Sequence, residues 1–80
     1  MLKSVSFQVA IIAHSKIIFA GIAYSVFVPG DEGEFEILAF HHPIISLLKQ
    51  GNIGIDNINF PIHSGIMRFF DDKLVALVEM

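Results

Sequence analysis

No cysteine occurs in the 80 residues. That excludes disulfide staples, thiolate zinc sites, iron–sulfur clusters and a cysteine nucleophile. Secreted domains of this size usually depend on staples, so a cytosolic setting or a larger assembly is expected. Basic residues are few: Lys3, Lys16, Lys49, Arg68 and Lys73, scattered along a chain of net charge −3. They form no stripe to pair with phosphates, so nucleic acid is not an expected partner. Long apolar runs are missing too. The best candidate, Ile17 to Gly30, is 14 residues long and contains Gly21, Tyr24, Ser25 and Pro29, whereas a spanning helix needs about 17–25. The start of the chain, with one lysine before Ser4-Val5-Ser6-Phe7-Gln8, lacks the shape of a signal peptide.

What the chain has in quantity is apolar side chain. More than half of it is hydrophobic (54%), eight residues are Phe, and mean hydropathy is +0.67. A chain this short buries only about 60% of the surface it exposes when unfolded, so a dense apolar composition compensates for a small core. Such a composition excludes a disordered tail or flexible linker. The surplus points to a surface covered by partners.

Where the apolar residues have a readable period, it is two. Val5, Phe7, Val9 and Ile11 alternate with Ser6, Gln8 and Ala10, which predicts a strand with one buried face. Ile53 and Ile55 alternate with Asn52, Gly54 and Asp56. Leu74, Ala76 and Val78 interleave with Val75 and Leu77, which predicts a strand covered on both faces. Ile22 to Val28, rich in β-branched and aromatic residues, reads as a further strand. Turn signals separate these runs. Pro29-Gly30-Asp31-Glu32-Gly33 is the strongest, with two glycines free to take positive φ. Lys49-Gln50-Gly51-Asn52 is another, and Asp56-Asn57 and Asp71-Asp72 read as tight hairpin connections. Phe40 to Leu48 is the one stretch where a helical turn fits, and Pro43 interrupts it. The expectation is one all-β domain over residues 1–80, a small flattened sandwich or barrel of about 8–10 short strands.

Four histidines raise the question of a metal. His41 and His42, if in a strand, would point to opposite faces and could not chelate one ion. His14 and His63 are remote, and no zinc-ligand spacing appears. Asp31, Glu32, Glu34 and Glu36 lack the 12-residue frame of a calcium loop. Glu34 and Glu36, two apart on a strand, would share a face in a solvated acidic loop. Ser64-Gly65 has no nucleophile-elbow context, and no glycine loop opens a helix for phosphate binding. No cofactor, metal or catalytic residue is expected.

Val28-Pro29-Gly30-Asp31-Glu32-Gly33-Glu34-Phe35-Glu36-Ile37-Leu38, followed by His41-His42-Pro43-Ile44, resembles the signature of the F-type ATP synthase epsilon subunit family. That signature reads V-P-G, two variable residues, G-E-F-G-I-L, then P-G-H-A-P-L. Phe19-Ala20-Gly21 is similar to the family's F-x-G, and Leu48-Lys49-Gln50-Gly51 to its L-K-P-G. Ser64-Gly65 falls where S-G-G stands, and Leu74 to Glu79 is similar to a closing V-T-V-L-A-E strand. Glu36, Ala39-Phe40, His42 and Ile66 depart from the pattern, and Ala13-His14-Ser15 stands for a T-P-E. The resemblance covers nearly the whole chain.

It implies the β-sandwich half of that subunit, equivalent to the mitochondrial delta subunit, without the carboxy-terminal helical pair that family members commonly carry. By the same resemblance the domain is a non-catalytic part of the central stalk. It would bind the gamma subunit and the polar loops of the membrane c-ring, peripherally at the cytoplasmic face of a bacterial inner membrane. Glu34, with Asp31 and Glu32, would face the ring, while Ala13, His41 and Ser46 would lie toward gamma. An edge strand exposed in the isolated domain would permit weak self-association. Two other readings stay open: a free-standing sandwich adaptor, and a small hydrolase or metal enzyme using the acidic loop with His41.

Overall fold

The alternation at Phe7, Val9, Ile11 and Ala13 puts four side chains into the core at 3%, 3%, 0% and 1% exposure, and their strand organises the molecule. The computed structural model describes residues 4–80; Lys3, one of the scattered cations, lies outside them. Nine strands are described: β1 (Phe7–Ala13), β2 (Lys16–Ala23), β3 (Val26–Gly30), β4 (Gly33–Ile37), β5 (Ile44–Leu48), β6 (Gly51–Ile55), β7 (Ile58–Ile62), β8 (Ser64–Phe70) and β9 (Lys73–Glu79). No helix occurs among the described residues, so none there is long and apolar enough to cross a membrane.

The strands form one curled sheet in the order β2-β1-β9-β8-β5-β3-β6-β7, with β4 pairing on β3. Every pairing is antiparallel except β1 with β9. The curl happens at β3, which meets β6 through Val26 and Phe27 but β5 only through Gly30. Backbone bonds from Lys49 N–H to Pro29 O (2.9 Å) and from Asp31 N–H to Leu47 O (3.0 Å) fasten that corner. The two halves then close over one core. Phe69, Met67, Leu74 and Ile11 come from one side, and Val26, Val28, Ile37, Ile53 and Ile55 from the other. Phe7 and Phe69 pack edge to face at 5.5 Å between ring centres. Burying each such side chain contributes about 1.5–3 kcal/mol.

Turn chemistry sets the register. His14 and Ser15, at φ 53° and 63°, make the two-residue link between Ala13 and Lys16. Asp71 and Asp72, at φ 54° and 56°, do the same between Phe70 and Lys73. Two consecutive positive φ values define the hairpin turn whose twist matches that of the flanking strands. In the Pro29–Gly33 turn the two glycines serve different needs. Gly33 has φ +133°, which L side chains rarely adopt, while Gly30 lacks room: a β-carbon there would lie 2.7 Å from the Phe35 ring. Positive φ is therefore required at one of the two, not both.

Other expectations change. Ile22 to Val28 is not one strand, because the chain breaks at Tyr24-Ser25, whose N–H groups both donate to the Asp56 carboxylate at 3.1 Å. The Phe40–Leu48 segment has no helical turn: Phe40 sits at φ 66° and β5 starts at Ile44. β9 is covered on one face only, since Leu77 is exposed.

Candidate functional site

The hairpin between β3 and β4 projects Asp31, Glu32 and Glu34 into water, and all three are exposed. Because Asp31 N–H is held by Leu47 O, this loop stands beside the end of β5. Together they enclose an open cleft of about 500 Å³ whose lining includes Asp31, Glu32, Glu34, Ser46 and Leu47. No lysine, arginine or histidine lines it. Such a cleft attracts cations and hydrogen-bond donors rather than anions. Glu36, two residues along β4 from Glu34, is half-buried and accepts a hydrogen bond from Ser25 Oγ at 2.5 Å. It anchors the β2–β3 break, whereas Glu34 stays at the surface.

Ser46 thus belongs, by position, with the acidic loop. Its Oγ donates to Leu47 O at 3.1 Å, and the side chain is half-buried. His41 lies at the other end of β5. Its N–H donates to Leu38 O at 3.2 Å, and its ring meets Phe69 edge-on at 6.0 Å. His41 and His42 are in a connecting loop rather than a strand, and their rings stack at 4.2 Å instead of pointing to opposite faces. Nδ1 of His41 lies 2.7 Å from His42 O, the distance of a hydrogen bond in which the ring nitrogen donates. The loop is tied down from outside, since Phe40 N–H donates to Asp72 Oδ1 at 2.8 Å and Asp72 O accepts from Gln8 N–H at 3.0 Å.

Ala13 is buried at 1% exposure. It pairs with Val78, which pairs with Gly65, which pairs with Leu48, which pairs with Gly30. Ala13 therefore shares a sheet end with the acidic loop, four strands away or roughly 19 Å. The structure does not bring Ala13, His41 and Ser46 into one cluster. It also separates His41 from the acidic cleft, so those groups do not assemble into one catalytic or metal-binding site. Among the described residues no group of three His, Cys, Asp or Glu is placed to hold a metal ion.

One surface feature escaped the strand-by-strand reading. The outward side of β5, β8 and β9 is apolar, with Ile45, Leu47, Ile66 and Leu77 exposed at 69%, 62%, 40% and 51%. The signal was present as apolar residues at both alternating positions of those strands, but it reads equally well as double burial.

Comparison with known proteins agrees with this architecture. The family model of the ATP synthase delta/epsilon chain β-sandwich domain matches residues 6–80. The ATP synthase epsilon chain of Sulfurimonas denitrificans is 35% identical over 77 residues, which cover 90% of this chain and 59% of that protein. The epsilon chain of Chlorobium limicola is 29% identical over 79 residues, covering 92% of this chain and 90% of that one. The fold is also found in a solved structure of the central stalk and c-ring of the Tetrahymena thermophila mitochondrial ATP synthase, at a TM-score of 0.74 and 13% identity over 91% of this chain and 63% of that one. The chain spans just under 60% of the length of the first two of the relatives it matches, including one from Campylobacter fetus. On sequence and fold together, this chain belongs to the β-sandwich family of ATP synthase delta and epsilon chains.

Proposed function

We propose that residues 1–80 act as one non-catalytic sandwich unit of the central stalk of a rotary ATP synthase, joining the gamma subunit to the membrane c-ring. In that position it passes proton-driven rotation to the catalytic head, held peripherally at the cytoplasmic face of a bacterial membrane through the complex. The observation that carries this reading is the family match over residues 6–80. The acidic cleft supports it: three exposed carboxylates with no lining cation suit a partner surface of polar and basic loops. Asp31, Glu32 and Glu34 are assigned to the ring side on that ground.

His41 and Ala13 are assigned to the gamma side, and Ser46, expected there too but lining the acidic cleft, to the boundary between the gamma and ring contacts. Since they are spread along the sheet, the contact must be broad, and a standard interface of about 800 Å² per partner is wide enough to reach across such a span. Ala13 itself is buried, so a partner would meet its neighbours Ile12, His14 and Ser15. A mechanical link needs stiffness, which a close-packed sandwich supplies because packed interiors have low compressibility.

The test is recovery of gamma and c-ring subunits from the source membranes on immobilised chain. Wild type is expected to retain both, and the Glu34→Lys/His41→Ala variant to retain less. No recovery by a wild-type chain shown by circular dichroism to be folded would overturn the proposal and leave a sandwich adaptor for some other protein.

A further inference from the structure

Among the described residues the sheet leaves edges open at β2 and β7, which end its strand order, and at β4, which pairs on β3. Two of these are guarded against a further strand. β4 carries Glu34 and Glu36, and β7 has Pro61 in its run; charges and prolines keep edges from pairing. β2 has no acid and no proline. Its one charge, Lys16, stands at its start, and Ile18 is left without a partner where the pairing with β1 shifts. From Phe19 to Ala23 the strand is regular and apolar, and its middle three residues are exposed.

The register says which backbone groups of that run face outward. Gln8 N–H donates to Asp72 O, toward β9, so the alternate residues Phe7, Val9 and Ile11 turn theirs toward β2. Their partners Ala23, Gly21 and Phe19 bond to β1, and the N–H and C=O groups of Ala20 and Ile22 point away from it. Beyond Ala23 the edge is closed, because the Tyr24 and Ser25 N–H groups already donate to the Asp56 carboxylate at 3.1 Å.

β2 is complementary to itself. About a two-fold axis through Gly21, Ala20 of each copy faces Ile22 of the other, and each pair exchanges the bonds that both residues lack. Gly21 faces Gly21 as the closely spaced pair between them, where a side chain would crowd the approach. Ile22, 60% exposed in the single chain, is covered. The charges fit as well. The register lays Lys16 along Tyr24-Ser25 of the second copy, beside the Asp56 carboxylate held there. The two lysines stay at opposite ends, roughly 34 Å apart.

We propose that two copies of this chain pair antiparallel through their β2 edges, centred on Gly21, into a symmetric dimer whose sheets are continuous. The proposal does not rest on the stalk reading.

The full chain is sedimented over a concentration series reaching millimolar, with Ile22→Pro and Lys16→Glu beside it. A mixture of isotopically labelled and unlabelled wild type is examined by NMR for contacts between copies. Wild type is expected to show a monomer–dimer equilibrium. As dimer forms, the Ala20 and Ile22 amides should become protected from exchange, and a contact should appear between the Gly21 α-protons of the two copies. Ile22→Pro removes no bond within the fold, since that N–H points outward, and its fold is checked by circular dichroism. It is expected to weaken association about tenfold or more, because half of the bonds between the strands are lost. Lys16→Glu, which sets like charges together beside Asp56, is expected to weaken it by a smaller factor. A strict monomer at millimolar concentration, association undiminished in Ile22→Pro, or growth beyond two copies would overturn the proposal.

Discussion

Asp56 holds two parts of the fold at once. It occupies a left-handed position, φ 50°, in the turn between β6 and β7. Its carboxylate accepts the N–H groups of Tyr24 and Ser25 at 3.1 Å, and its own N–H donates to Ser25 O at 3.0 Å. The break between β2 and β3 is thereby tied to a hairpin more than thirty residues away. Hydrogen bonds to a charged acceptor contribute about 1.5–3 kcal/mol when buried; at this exposed site, screening leaves about 1–2 kcal/mol for the pair. A β-carbon in the left-handed region costs about 1–2 kcal/mol, which aspartate offsets by local hydrogen bonding and alanine does not.

Three variants separate these effects. Asp56→Asn keeps an acceptor oxygen and tolerates the backbone, so the loss should stay under about 1 kcal/mol. Asp56→Gly frees the backbone but removes the acceptor, for about 1–2 kcal/mol. Asp56→Ala loses both, for about 2–4 kcal/mol. For a domain of this size each kcal/mol lowers Tm by about 4–8 °C. Urea and thermal unfolding followed by circular dichroism measure all three. Equal stability of the Gly and Ala variants would refute the backbone argument, and wild-type stability in Asp56→Gly would refute the hydrogen-bond argument.

Other outcomes follow from the same geometry. Phe69→Ala, which empties a site packed against Phe7 and His41, should cost about 3–5 kcal/mol and leave little cooperative unfolding in a urea titration. Gly33→Ala meets no neighbour, so its cost is conformational alone and about 1–3 kcal/mol. Gly30→Ala, which collides with Phe35 and the Gly33 carbonyl, should be the more destabilising of the two in the same assay. Ser25→Ala removes the donor to Glu36 and should lower unfolding stability by about 0.5–1.5 kcal/mol. The strand order ends at β2, where Ile17 is exposed; weak self-association seen by sedimentation at high concentration should disappear in Ile17→Lys, because a charge on an edge strand blocks pairing.

β1 and the start of β9 are legible in the sequence because one side chain in two meets the core and the next meets water or a neighbour. β2 is not, since seven of its eight residues are exposed or half-buried, most of those are apolar, and the pairing shifts between Ile11 and Ile12. Double burial was a reasonable expectation for Val75 and Leu77, because alternation cannot distinguish a second core from a face left for a partner. The acidic loop was readable from Pro29 to Glu34 as a turn with carboxylates. Its neighbour Ser46 was not, because their proximity depends on the bond from Asp31 to Leu47 across the curled corner. The distance between His41 and Ala13 is likewise a property of pairing, invisible in spacing along the chain.

The central claim is that this domain links shaft to ring, and proton pumping tests it most directly. Membranes from the source organism are stripped of this chain, and ATP-driven acidification of vesicles is followed by a fluorescent pH probe as chain is added back. Wild type is expected to restore pumping, and folded Glu34→Lys to restore less, with ATP hydrolysis continuing uncoupled. Pumping that proceeds equally well without the chain would contradict the account.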